Sequence, residues 1–269
     1  MTALEETLAT APAEALSRMR AAVPLVQCIT NYVAMTYAAN VLLAAGASPA
    51  MVHAAEESGD FAAIAGALTV NIGTLSPDWV AGMEAAIAGA HGAGTPWVLD
   101  PVACFATRYR GQVTRDLAAR RPAIIRGNAS EILWLGGTSG SGKGADAGDE
   151  VAAATGAARR LAAETGAVVA VTGAEDFLTD GSRGLWIAGG SPVMPRVTAT
   201  GCALTALAGG YAAIAEPFDA ALAALMHFAV AGERAAATAA GPGSFVPAFL
   251  DALAAVAPGD MGLQRVRPA

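Results

Sequence analysis

The chain of 269 residues is 54% hydrophobic and only 14% charged, which excludes a disordered polymer and suffices to bury one large core or two small ones. Its formal charge of -7 argues against a basic footprint for nucleic acid or an anionic membrane, leaving small-molecule chemistry as the expectation. Cys28, Cys104 and Cys202 show neither CxxC nor Cys/His metal spacing, so a reducing, cytoplasmic setting is expected rather than a disulfide framework.

In chain order, the acidic, alanine-rich start lacks the basic-then-apolar layout of a signal peptide. The charge-free stretch from Arg20 to Glu56 is broken by Pro24, Asn31, Asn40, Gly46 and Pro49, too often for a membrane span of roughly 20 apolar residues. Short apolar runs at 24–29, 50–52, 67–72, 97–99, 123–125 and 167–171 each end in polar or glycine residues. Helices are predicted between them at 33–45, 60–66, 78–89, 114–120, 130–135 and 149–164. Apolar strands alternating with helices predict an α/β fold, with a mostly parallel sheet covered on both faces. Past Thr172 a hairpin is predicted from 177–178 to 184–187 around the Asp180-Gly181 turn, giving the sheet an antiparallel edge. Three helices then follow at 203–215, 219–239 and 245–256. The glycine-rich loop 136–148 is too short to separate domains, so one domain over 1–269 is expected.

That loop contains GTSGSGK at 137–143, which fits a P-loop as far as Lys143. Gly144 then stands where a Ser or Thr should hold Mg2+, and the next helix starts too late to point at phosphates, so a solvated connection is preferred. A stronger pattern is WVLDPV at 97–102, where a strand stops at Asp100. Ligands of open α/β sheets gather at the carboxyl ends of strands. A plain Asp-Pro turn is the alternative for that segment alone. AIIRGNASE at 123–131 repeats the pattern, with Arg126 at the strand end and Glu131 in the first turn of a helix. A carboxylate there can simply complement the helix dipole. Asp100 and Glu131 at neighbouring strand ends, joined by Arg126, would suit hydrated Mg2+ and phosphate oxygens.

Thr172 and Gly173 end the next apolar strand, letting backbone and hydroxyl approach a phosphate. VTATGCAL at 197–204 opens into an apolar helix whose free amides form an anion hole; a tightly packed helix start with a buried cysteine is the alternative. At that helix start the Cys202 thiol is expected to fall below its ordinary pKa. Asn31 is predicted to N-cap the second element, and Met51 closes the next strand as an ordinary core residue would. His53, His91 and His227 are unclustered and receive no role.

Taken together, 25–31, GASPAM at 46–51, NIGTL at 71–75, LDPV at 99–102, IRGNASE at 125–131, VTG at 171–173, TGC at 200–202 and GPGSF at 241–245 resemble hydroxyethylthiazole kinases. The resemblance implies a ribokinase-like fold, a three-layer αβα sandwich, that phosphorylates 4-methyl-5-(2-hydroxyethyl)thiazole with MgATP in thiamine salvage. It implies a homotrimer with substrate sites between subunits. By the same resemblance, Arg126, Thr172 and Asn128 bind ATP, and Asp100 and Glu131 organise Mg2+. Asn31, Ala199 and Met51 line the thiazole pocket, Met51 from across the subunit interface. Thr200, Gly201 and Cys202 form the catalytic anion hole, with the Cys202 thiol where other ribokinase-like enzymes carry an aspartate base.

Two stretches of the chain depart from the pattern. Ala199 stands where glycine is usual, at a cost of roughly 1 kcal/mol if its φ is positive. Cys104 and Phe105 follow the Asp-Pro where small residues are common, and are expected to reshape the loop over the phosphates. The alternatives are a hydroxymethylpyrimidine-type kinase, a ribokinase-like dehydratase that repairs hydrated nicotinamide cofactors, and a non-catalytic thiazole- or nucleotide-binding protein. The cysteine at 202 favours the thiazole kinase over the other two enzymes.

Overall fold

The structure, a computed structural model, describes residues 3–137 and 147–269. Among the described residues nine strands form one sheet: β1 Leu25–Ile29, β2 Ser48–Ala50, β3 Ala67–Asn71, β4 Trp97–Asp100, β5 Ile124–Asn128, β6 Val168–Thr172, β7 Glu175–Thr179, β8 Gly184–Ala188 and β9 Val266–Pro268. Their order across the sheet is β2-β1-β3-β4-β5-β6-β7-β8-β9. Strands β1 to β6 are parallel, whereas β7, β8 and β9 run antiparallel along one edge. Both faces of the parallel part are covered, which is why β3 and β4 are buried throughout and mostly apolar, with polar residues only at Thr69 and at the carboxyl ends, Asn71 and Asp100.

Among the described residues ten α-helices flank the sheet: α1 Ala3–Ala22, α2 Met35–Ala45, α3 Ala55–Ile64, α4 Pro77–Ala93, α5 Arg108–Ala118, α6 Ala129–Leu135, α7 Ala147–Thr165, α8 Thr200–Ala212, α9 Pro217–Thr238 and α10 Pro242–Ala255. Alternate strand residues feed two cores. Val98, Ile124, Val168 and Ala170 pack with residues of α1, α2, α8, α9 and α10 on one face. Leu99, Ile125, Val169 and Val171 pack with α3 to α7 on the other. The period-two alternation of strand side chains thus builds a three-layer αβα sandwich. Small residues let the layers close up: a Cβ on Gly209 of α8 would lie 2.4 Å from Thr69 Cγ2 of β3.

The predicted strands and helices recur with shifted bounds. The strand expected at 50–52 is Ser48–Ala50, and the helix expected at 60–66 is Ala55–Ile64, begun early by Glu56 and Glu57 in its first turn. The helix expected at 114–120 begins at Arg108, behind an N-cap whose Thr107 hydroxyl accepts from the Arg110 amide at 3.2 Å. Helix α1 and strand β9 had no counterpart in the sequence reading. Arg20 ties α1 to the rest, its guanidinium donating to the carbonyls of Ala45, Leu253, Ala254 and Val256. Residues 138–146, with Lys143 and most of the P-loop-like stretch, lie outside the described residues.

Candidate active site

The chain leaves β1 for β2 on one side and returns to β3 on the other, so the strand order reverses at β1 and β3. Crevices at the carboxyl ends of such strands bind ligands. Asn31, two residues past β1, and Asn71, the last residue of β3, meet there: Asn31 Nδ2 donates to Asn71 Oδ1 at 3.0 Å. The same Nδ2 is 3.3 Å from Cys202 Sγ at the start of α8. Asn71 Nδ2 in turn donates to Asp100 Oδ2 at 2.8 Å, and the Thr205 hydroxyl donates to that oxygen at 2.8 Å. One network therefore links Cys202 to Asp100 through two asparagines.

Asp100 is fully buried, and its Oδ1 has no hydrogen-bond partner. Burial pushes its carboxyl up, while Arg126, Thr205 and Asn71 pull it back. Arg126 Nη1 lies 3.8 Å from Asp100 Oδ2, and Arg126 Nη2 donates to the Thr172 hydroxyl at 2.5 Å. Glu131 occupies the third position of α6, where a capping box forms: Glu131 N donates to Asn128 Oδ1 at 3.0 Å, and Asn128 N donates to Glu131 Oε2 at 2.8 Å. Glu131 Oε1 accepts from the Ala103 amide at 2.9 Å. Burial and the neighbouring Asp100 charge push Glu131 up, against these amides and Arg126.

Helix α8 starts at Thr200 after Ala199, which has φ 63° and ψ 5°. The left-handed conformation at that departure is real. The Thr200 hydroxyl donates to Val197 O at 2.7 Å, leaving the first amides of the helix without intrahelical partners. The expected fall in the Cys202 pKa does not occur: burial and then the Asp100 charge push the thiol up, outweighing the amides of Asn31 and Asn71 and the Arg126 charge. Asn31 is not the N-cap of α2, which is Ala34; its Oδ1 instead accepts from the Ala34 amide at 3.0 Å and fixes the turn before the helix. Cys104 is buried with its thiol 3.7 Å from Glu131 O, and Phe105 faces solvent. Met51 lies just past edge strand β2, half-buried, one strand from Asn31.

Thr205 and Asp176 were absent from the residues singled out by sequence, and Asn71 entered only as the first residue of the 71–75 block, with no role of its own. Asn71 carried a usable signal, since it ends an apolar strand as Asp100 does. Asp176 Oδ1 accepts from the Gly173 amide at 2.9 Å, and burial pushes its carboxyl up to about 6 despite the pull of Arg126. Thr205 sits in an apolar helix with no local mark.

The family model for hydroxyethylthiazole kinases matches residues 16–258. The hydroxyethylthiazole kinase of Gemmatimonas aurantiaca is 62% identical over 256 residues, 95% of this chain and 92% of that one. That of Cereibacter sphaeroides is 65% identical over 243 residues, 90% and 93% of the two chains. A solved hydroxyethylthiazole kinase protein from Pyrococcus horikoshii superposes with TM-score 0.88 at 38% identity, covering 96% of this chain and 98% of its own. The ADP complex of Bacillus subtilis pyridoxal kinase, at TM-score 0.59 and 17% identity over 78% of this chain and 91% of its own, shares the ribokinase-like architecture alone. By the family match, this identity and the shared fold, the chain belongs to the hydroxyethylthiazole kinase family.

Proposed function

We propose that the protein transfers the γ-phosphoryl group of ATP to the primary hydroxyl of 4-methyl-5-(2-hydroxyethyl)thiazole, giving the thiazole phosphate and ADP for thiamine synthesis. The observation that carries this reading is the network from Cys202 through Asn31 and Asn71 to Asp100, at the switch point of the sheet and against the start of α8. The names of its relatives, at 62% and 65% identity, support the thiazole as acceptor.

The residues fit a hydrated Mg2+. Asp100 Oδ1 is buried and unpartnered, and Asp100, Glu131 and Asp176 all draw on Arg126, leaving negative charge in excess. Among the described residues no group of three or more His, Cys, Asp or Glu could cage a metal. Mg2+ commonly keeps its waters and uses one or two carboxylates with substrate phosphates, so Asp100 and Glu131 are a sufficient donor set. Bound there, Mg2+ would neutralise charge on the phosphates.

Arg126 and Thr172 orient the phosphates, with Asn128 beside them at the end of β5. The amides of Thr200, Gly201 and Cys202 receive the charge that develops during transfer. Cys202 faces the acceptor hydroxyl as a thiol. Asn31, Ala199 and Met51 line the thiazole, Met51 reaching from a neighbouring subunit of a homotrimer. One ribokinase-like domain does this work in the cytoplasm, without nucleic acid or membrane partners. Among the described residues no single helix is long and apolar enough to cross a membrane.

The test is ADP release with MgATP against the thiazole alcohol, a hydroxymethylpyrimidine, pyridoxal and ribose. Turnover of the thiazole is expected. Turnover of the pyrimidine or pyridoxal alone would overturn the substrate assignment, and thiazole binding without turnover would favour a binding protein.

A further inference from the structure

Arg110 lies in the first turn of α5, where a cation opposes the helix dipole, so local helix stability does not select it. It forms no ion pair among the described residues. Its guanidinium spends its hydrogen bonds on backbone carbonyls instead. Nη1 donates to Ile72 O at 2.8 Å and to Val102 O at 3.1 Å, and Nη2 donates to Gly73 O at 2.7 Å. These acceptors belong to the loops that follow β3 and β4, and both loops carry site residues.

Two of those carbonyls are the back ends of peptide units whose front ends hold site side chains. Val102 C=O and Ala103 N–H are one planar unit, and that N–H donates to Glu131 Oε1 at 2.9 Å. Ile72 C=O and Gly73 N–H are another, and that N–H donates to Asn71 Oδ1 at 2.9 Å. A cation on the carbonyl polarises the peptide and strengthens the N–H as a donor. Ala103 also has φ 49°, a left-handed conformation that an alanine keeps only where its surroundings hold it.

We propose that Arg110 is a positioning residue for phosphoryl transfer, holding from behind the two peptide units that orient Glu131 and Asn71. The proposal rests on the metal role given to Glu131 above. Through Ala103, Arg110 fixes the carboxylate that would face hydrated Mg2+. Through Gly73, it fixes the asparagine that aligns Asp100 with Asn31 and Cys202.

The full-length protein serves for the test, with Arg110→Met, Glu131→Gln and the double variant. The first readout needs no ligand: hydrogen exchange at the Ala103 and Gly73 amides is expected to quicken in Arg110→Met while the thermal midpoint stays near wild type. The second is the Mg2+ concentration for half-maximal activity, expected to rise roughly 10- to 100-fold, as is usual when a support behind a metal ligand is lost. KM for the thiazole alcohol is expected to hold. In the Glu131→Gln background, Arg110→Met should shift the Mg2+ response by clearly less than in wild type, because the path through Ala103 is already lost and only the path through Gly73 and Asn71 to Asp100 remains. An unchanged Mg2+ response in Arg110→Met, or an equal shift in both backgrounds, would overturn the proposal. If Arg110→Met fails to fold, Arg110→Lys keeps the charge but not the fork that spans two loops, and is expected to show the same shifts. A wild-type Mg2+ response in Glu131→Gln would instead sink the metal reading of Glu131, while the exchange data would still report whether Arg110 holds the peptides.

Discussion

Arg126 packs its guanidinium against Gly201, so closely that a Cβ at 201 would lie 2.6 Å from Nη1 and 2.9 Å from Nη2. The glycine at the start of α8 is there for the arginine that crosses it. Gly201→Ala should push Arg126 off the Thr172 hydroxyl and away from Asp100. Alanine is the better helix former by about 1 kcal/mol, so stability should hold or rise. Losing a charge-assisted contact costs about 1.5–3 kcal/mol, which predicts a fall in kcat/KM for ATP of roughly 10- to 100-fold. Steady-state kinetics beside a thermal melt decide it: unchanged kinetics would detach Arg126 from the phosphates.

Cys202 has its thiol pushed up by burial and by Asp100, so it enters the reaction protonated at neutral pH. Phosphoryl transfer through a loose transition state asks little of a base, and base help is typically about 10²- to 10⁴-fold. Cys202→Ala is therefore expected to lose about 10²-fold or less in kcat, since the helix amides remain. Cys202→Asp should retain more, with activity climbing as pH rises, because Asp100 also pushes up a second carboxyl beside it. A pH-rate profile of all three proteins is the check. An alanine variant equal to wild type would leave Cys202 with packing alone.

Ala199 holds φ 63° without the freedom of glycine. Left-handed backbone costs an alanine about 1–2 kcal/mol, and the entropy a glycine loses on folding returns part of that. Ala199→Gly should thus gain roughly 1 kcal/mol or less, a Tm rise of about 2–4 °C. Calorimetry showing no rise would mean that the surroundings of Ala199 favour its methyl.

His227 is buried between Tyr211 and Leu253. Its Nε2 lies 2.9 Å from a carbonyl, which only accepts, so Nε2 carries the proton and Nδ1 accepts from the Tyr211 hydroxyl at 2.8 Å. Burial holds its pKa down at about 4, against an ordinary 6.5. The unfolded chain takes up the proton first, so stability is full above about pH 6.5 and is lost as pH falls toward 4, by roughly 3 kcal/mol. Asp176, pushed up to about 6, has the opposite sign and gains stability over part of that range. His227→Gln can keep both hydrogen bonds without titrating, so urea midpoints from pH 8 to 4 should diverge from wild type below 6.5. Parallel curves would clear His227 of the effect.

Much of this site was legible in the chain because its signals are local. Asp100, Arg126, Thr172 and Thr200 stand where apolar runs stop or a helix begins, and the chemistry of a parallel sheet is at such ends. The box formed by Asn128 and Glu131 needs only a three-residue spacing. Helix α1, alanine-rich and only weakly amphipathic, gave no comparable signal, and β9 is three residues long.

What the sequence by itself determined was the alternation of buried strands and covering helices, and with it which residues reach the carboxyl edge of the sheet. Tertiary structure decided which of them touch. Cys202 meets Asn31 across 171 residues, Thr205 meets Asp100 across 105, and Arg110 reaches Ile72 across 38. It also decided the protonation of Cys202. A helix start alone lowers a thiol, but burial beside Asp100 raises it, and burial is a property of the packed layers rather than of any segment.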